Sequence, residues 1–285
     1  MILQDGLMHI LQIESEHPVI DFLQKGLMPT LHFKSEALTI AFPIAATLLI
    51  IAVSYLLGSI NSAIIISKLV YQDDVRKYGS GNPGTTNMLR AFGKKAAFLT
   101  LIGDMLKTAI SILFAALIFG FQYVGGVSTG DGMCYVAGLF AILGHVFPIY
   151  YKFNGGKGVL CTATMALILS PIAFLLVLLV FIATVAWTKY VSLGSVFGGV
   201  LYPVVLHGYF NYLGALINPK IAEGQVPFLQ NGMISLVSII AAILIVWCHR
   251  ANLQRISDRT ENKISFKKKL VDQKKEEEAE DDDEE

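Results

Sequence analysis

Residues 157–188 read KGVLCTATMALILSPIAFLLVLLVFIATVAWT, and the way this stretch divides decides the fold. Taken as one α-helix, its 32 residues would extend ~48 Å at 1.5 Å per residue, against a hydrocarbon core ~30 Å thick. Ser170 and Pro171 offer a break, because proline disfavours helical backbone in the residue before it. The stretch therefore reads as a short helix to about Ser170 and a second from Pro171 to about Thr188. Around it lie further apolar runs at about 38–60, 96–119, 133–150, 190–212 and 232–247. The expectation is an all-α polytopic membrane protein with about seven transmembrane helices.

Positive charge orients these spans, since cytoplasmic loops carry the excess of Lys and Arg. With the N-terminus outside, the inner segments hold 18 of the 22 cations, nine of them after His249. Only Lys25, Lys34 and Lys220 fall outside, and Lys107 lies within a span. Six helices, with no break at Pro171, would put the basic segment after His249 on the outer face. The N-terminus is thus expected outside and the C-terminus in the cytoplasm.

Composition agrees with that class. The chain has 285 residues, 54% of them hydrophobic and 15% charged, where globular domains carry about 25% charged residues. A soluble core of this size does not hide so much apolar surface. Formal net charge is zero, yet nine acids fall in 276–285, EEEAEDDDEE. The remaining body is basic, which suits a protein handling anions at a membrane surface. Cys134, Cys161 and Cys248 stand singly in apolar runs and suggest neither a disulfide nor a metal. His9, His17 and His32, with Glu14 and Glu16, read as solvated. No metal, cofactor or nucleic acid is expected. Three regions follow: an interfacial or disordered extension over 1–38, a membrane body over 39–265, and a charged, disordered tail over 266–285.

The first chemical signal is Gly79-Ser80-Gly81-Asn82-Pro83-Gly84-Thr85-Thr86-Asn87, followed by MLRAFGKK. Three glycines can expose consecutive backbone N–H groups, and a helix starting near Thr86 points its positive end the same way. Arg90 adds a forked donor one turn on, with Lys94 and Lys95 beyond it. The loop is not a Walker motif, because Thr85 stands where GxxxxGK[ST] requires lysine. It reads as an anion site, the alternative being a flexible loop with a capped helix.

A second glycine-rich loop, Tyr151-Lys152-Phe153-Asn154-Gly155-Gly156-Lys157-Gly158, follows Gly144-His145-Val146-Phe147-Pro148 on the same side. It offers Gly155, Gly156 and Lys157 for an anion; otherwise it is a tight turn with a snorkelling lysine. A third signal, CHRANLQR at 248–255, places His249 and Asn252 on one helix face. Ser192 lies at the inner end of another span, with helix capping as its alternative. Asp104 and Lys107, i and i+3 within a span, are expected to pair as a brace for the loop helix, since an unpaired charge there costs ~3 kcal/mol or more. The rival class is a transporter of a phosphorylated solute, which would seat its site at mid-membrane between repeated halves. No internal repeat is evident, and the informative loops all face one side.

In order, YLLGSI, GSGNPGTTN with LRAFGKK, the D-x-x-K pair, GHVFP with FNGGKG, KYVSL and HRANLQR resemble the bacterial acyl-phosphate–glycerol-3-phosphate acyltransferases, the PlsY family. The likeness covers about residues 40–265. Thr85 departs from the alanine common there, and the N-terminal extension, the 214–231 segment and the acidic tail have no counterpart. The resemblance implies a bacterial inner-membrane enzyme with its site on the cytoplasmic side. It would move a fatty acyl group from acyl phosphate to glycerol 3-phosphate, giving lysophosphatidate and phosphate, the first step of phospholipid synthesis. Membrane lipids, and neighbouring enzymes of that synthesis, are the further partners it suggests. It implies catalytic roles for Ser80, Arg90, Lys157, Ser192, His249 and Asn252. Gly79, Gly81, Asn82, Gly84, Asn87, Gly155 and Gly156 would bind substrate. His249 or the substrate's own phosphate would take the proton.

Acyl phosphate is a mixed anhydride with a good leaving group, so a covalent serine or cysteine intermediate is unnecessary. No HxxxxD motif, the signature of other glycerophosphate acyltransferases, occurs.

Overall fold

The apolar runs form helices because, in a bilayer, every backbone polar group must be satisfied within its own segment. The computed structural model describes residues 26–27, 31, 35–120, 123–124, 127–128, 132–208 and 228–264. Within these, α1 is Glu36–Ser59, α2 Ser62–Val70, α3 Thr85–Phe92, α4 Lys94–Phe119, α5 Met133–Val146 and α6 Val159–Leu169. Then come α7 Pro171–Thr188, α8 Val191–Gly208, α9 Phe228–Cys248 and α10 Arg250–Ser257. A two-residue-per-strand antiparallel ribbon, Tyr123–Val124 with Val127–Ser128, is the one sheet among the described residues.

The break at Pro171 falls where proline chemistry puts it. The α6 helix stops at Leu169, Ser170 leaves the helical region at φ −151° and ψ 64°, and Pro171 opens α7. Its missing N–H is no loss in a helix's first turn. Five stretches are long and apolar enough to cross a membrane, and a sixth forms if α9 and α10, bent by 49°, count as one. The expected count of about seven includes α6. With 11 residues that helix is ~16 Å long, about half the hydrocarbon thickness.

The bundle centres on α5, which packs against α1, α4 and α6, while α8 packs against α7 and α9. The α1–α5 crossing is close because both helices present glycine at it. A Cβ on Gly58 would lie 2.3 Å from the Ala141 carbonyl oxygen, and one on Gly144 would lie 2.2 Å from that of Tyr55. Membrane helices associate through such small-residue contacts. Tyr135, Ile142, Met165, Leu169 and Tyr202 fill the core beneath. The outer surface is apolar: on α7 only Ala173 is fully buried, and Leu175, Leu179 and Trp187 lie exposed.

Hydroxyls inside the helices obey the same rule. Those of Thr100, Thr108, Ser111, Thr164, Ser170 and Thr184 each donate to the carbonyl one turn earlier. A smaller cluster of Val75, Met88, Ala91 and Phe92, with Tyr71 stacked on Phe92, seats α3 beside α2. Most of the 1–38 extension, nearly all of the 214–231 segment and the whole 266–285 tail lie outside the described residues. Of the extension, the Leu27 N–H donates to the Leu117 carbonyl at 3.0 Å.

Gly144→Ala should separate α1 from α5. Thermal unfolding of the detergent-purified protein is expected to show a loss of about 1–3 kcal/mol, the usual cost of overpacking.

Candidate active site

A cavity of about 500 Å³ opens among α3, α4, α6, α7 and α8 and the α9–α10 bend. Ser80, Arg90, Lys157, Ser192, His249 and Asn252 all wall it, so six side chains chosen from separate segments meet in one place. From Ser192 the cavity follows α8 through Ser195 and Gly198 to Tyr202, ~15 Å at 1.5 Å per residue. Phe174, Val177, Leu178 and Phe181 of α7 form its apolar wall. The Tyr202 hydroxyl is not free there, lying 3.1 Å from that of Ser170 behind the wall. One end thus suits an anion and the other a hydrocarbon chain.

The first loop is shaped by its hydrogen bonds. Asn87, buried, donates from Nδ2 to the carbonyls of Val75 and Tyr78 and accepts the Ser80 N–H on Oδ1. Asn87 therefore holds the loop, and its amide hydrogens are not free for a substrate as the sequence reading expects. The N–H groups of Gly81 and Gly84 are also spent, donating to Tyr78 and Asn82; Asn82, Gly84 and Asn87 line the cavity, while Gly79 and Gly81 are off its wall. Their contribution is conformational, with φ of 56° at Gly79 and 68° at Gly81. The open donors are one position on. Thr85 and Thr86 begin α3 and line the cavity, and the first N–H groups of a helix have no partner within it. Sequence reasoning points the start of this helix at the site but gives the binding to the glycines.

The second loop is built in the same way. Gly155 and Gly156 stand off the cavity wall and pack on His145: the Gly156 N–H donates to its carbonyl at 3.0 Å. A Cβ on Gly155 would lie 2.0 Å from that oxygen, and one on Gly156 2.0 Å from the ring Nε2. These glycines let the loop press against α5, which leaves Lys157 and Gly158 as its contribution to the cavity.

Asp104 and Lys107 pair at 3.0 Å, as expected of a brace. The Lys107 ammonium also donates to the Ile60 carbonyl at 2.7 Å and lies 2.8 Å from His145 Nδ1, while Ser62 donates to Asp104. The brace thus ties α4 to the α1–α2 turn and to α5. Its hydrogen bonds reach the first loop only indirectly, through Asn61, whose Nδ2 donates to the Pro83 carbonyl.

The residues beyond α10 supply a partner that the sequence reading misses. Glu261 turns back into the site, where Oε1 accepts from Ser192 Oγ at 2.9 Å and Asn252 Nδ2 at 2.7 Å, and Oε2 from Arg255 Nε at 2.8 Å. Burial alone would raise its pKa, but these three donors together hold it below the usual carboxylate value. Arg90 donates to the neighbouring Asn262 carbonyl at 3.1 Å, and Lys157 donates to Asn252 Oδ1. Burial pushes the Lys157 ammonium down to about 8, against the opposing pull of Glu261. His249 caps α10 at the bend, and its Nδ1 lies 2.7 Å from the Ile245 carbonyl. A carbonyl only accepts, so Nδ1 carries the hydrogen and Nε2 of the neutral ring is left as an acceptor.

Comparison with known proteins shows the family. The family model for "Glycerol-3-phosphate acyltransferase" matches residues 48–259. The chain is 34% identical over 230 residues to the glycerol-3-phosphate acyltransferase of Mycoplasmopsis synoviae, covering 79% of this chain and 97% of that one. It is 38% identical over 224 residues to that of Halalkalibacterium halodurans, covering 77% and 96%. Among solved structures it resembles PlsY, an integral membrane glycerol 3-phosphate acyltransferase. Against the glycerol 3-phosphate form the TM-score is 0.62 at 30% identity, and against the lysophosphatidic acid form 0.61 at 29%; each covers 77% of this chain and 96% of the other. With a family match spanning the membrane body and an arrangement shared with solved members, the chain belongs to the glycerol-3-phosphate acyltransferase family.

Proposed function

We propose that this chain transfers a fatty acyl group from acyl phosphate to a hydroxyl of glycerol 3-phosphate, releasing lysophosphatidate and inorganic phosphate. The observation that carries this reading is that Arg90 and Lys157 share one cavity, cationic at the end where Ser192, His249 and Asn252 gather and apolar along α7 and α8. Two phosphorylated reactants need a crowd of donors, and a fatty chain needs a dry sleeve. Membrane lipids surround the sleeve. The membrane body over 39–265 carries the chemistry.

In this reading Arg90, Lys157, Ser80 and the first N–H groups of α3 hold phosphate. Ser192 and Asn252, ordered by Glu261, orient glycerol 3-phosphate. The hydroxyl oxygen bonds to the acyl carbon, the carbon–oxygen bond to phosphate breaks, and phosphate leaves with the bonding electrons. The hydroxyl proton passes to an acceptor; the bare Nε2 of His249 supports that residue for the task. Alignment and charge stabilisation account for catalysis without a covalent enzyme intermediate. The lysines and arginines flanking the cavity support an orientation with the site at the cytoplasmic face of a bacterial inner membrane, the N-terminus outside and seven crossings if α6 is counted.

Purified protein given acyl phosphate and labelled glycerol 3-phosphate, without CoA or carrier protein, is expected to form labelled lysophosphatidate. Well-folded protein that forms none would refute the assignment. Arg90→Ala and Lys157→Ala should each lower turnover by ~10²-fold or more, the scale set by removing one charge-stabilising donor. Lys157 is cationic below its value of about 8, so kcat/KM for glycerol 3-phosphate should fall as pH rises through 8. Lys157→Arg, whose guanidinium stays charged, should flatten that fall between pH 8 and 10. An unchanged pH profile would remove Lys157 from the phosphate contacts.

A further inference from the structure

One buried hydroxyl on the cavity wall breaks the rule that the others follow. Thr162 lies in the first turn of α6 and is 5% exposed, yet its Oγ1 has no hydrogen-bond partner. The carbonyl one turn back, Gly158, accepts the Thr162 N–H at 2.8 Å but not its hydroxyl. Two residues on, Thr164 donates to Leu160 in the ordinary way. A polar hydrogen left unpaired inside a bilayer is costly, and a native structure that retains one calls for an explanation, a catalytic role among them. Among the described residues Ser54 is the other buried hydroxyl without a partner, but it does not line the cavity. Thr162 does.

The depth of Thr162 identifies what would meet it. Lys157 and Gly158 stand at the cationic end, and Leu167, further along the same helix, belongs to the apolar sleeve. Thr162 is four residues past Gly158, ~6 Å along the helix axis, below the phosphate contacts and above the chain. A fatty acyl phosphate seated with its phosphate on Lys157 and its chain along α7 has one polar atom at that level, the acyl carbonyl oxygen. We infer that the Thr162 hydroxyl donates to this oxygen and stabilises the charge that it gains as the acyl carbon is attacked. As the glycerol 3-phosphate oxygen bonds to that carbon, the carbonyl electron pair moves onto oxygen, where a donor already in place is worth most. When the pair returns, phosphate departs and Thr162 holds the ester carbonyl of the product. This role rests on the acyl transfer proposed above.

The test compares Thr162→Val and Thr162→Ser with the unaltered full-length enzyme in detergent, using acyl phosphate and glycerol 3-phosphate. Valine keeps the shape and removes the donor; kcat is expected to fall on the order of 10- to 100-fold, with KM for glycerol 3-phosphate within about twofold. Serine restores the donor and should recover most of the rate. Without substrate, the valine variant should unfold at the same or a higher temperature, because it removes an unpaired polar group. A purely structural hydroxyl would give the converse, lower stability with unchanged kcat. Valine enzyme with kcat within twofold of the unaltered protein overturns the inference. If the unaltered protein itself made no lysophosphatidate, the reading of the reaction would fail instead, a result the same plates distinguish.

Discussion

A lysine ammonium inside hydrocarbon has to be neutralised where it stands, and much of this molecule is arranged around that demand at Lys107. Its three neighbours, the Asp104 carboxylate, the Ile60 carbonyl and His145 Nδ1, belong to three different parts of the chain. Each neighbour extends the connection. Next to Ile60, Asn61 caps α2 and donates to Pro83 in the first loop. His145 accepts the Gly156 N–H in the second. The two loops that shape the cationic end thus hang from one buried cation. Removing one partner of such a cluster strands the others, at a cost of about 3–5 kcal/mol for a buried pair.

The opposite charge does comparable work at the other side of the cavity. Glu261 gathers Ser192, Asn252 and Arg255, which come from α8, from α10 and from the end of α10 itself. Cations crowded at one end of the cavity repel one another. One carboxylate moderates that repulsion while fixing the hydroxyl and amide that face the cavity. The bend between α9 and α10 then brings His249 to the wall, and the Ile245 carbonyl decides which of its nitrogens bears hydrogen.

What the amino-acid order discloses follows from which interactions are local. Hydropathy locates the spans, and Pro171 marks the division between α6 and α7, because both effects act over a few residues. Arg90, Lys157, Ser192, His249 and Asn252 are legible as charged or polar residues at helix ends beside glycines, and all of them reach the cavity. The glycines mislead, because a free N–H in sequence becomes an occupied one once Tyr78, Asn82 and His145 turn their carbonyls toward it. Glu261 sits in the polar run SDRTENK and looks like a solvated acid until the chain folds back. Thr162 is anonymous among apolar neighbours. At α6 hydropathy marks an apolar helix of 11 residues but not how deep it ends.

The thinness of the wall at α7 bears on where a product goes. One side of that helix presents Phe174, Val177 and Phe181 to the cavity, while the other presents Leu175, Leu179 and Ile182 outward. Nothing polar intervenes. In the proposed reaction a lipid assembled in the sleeve is one helix diameter from the surrounding leaflet, so its hydrophobic tail need never be wetted between synthesis and delivery, and water-soluble reactants are left to the cationic end.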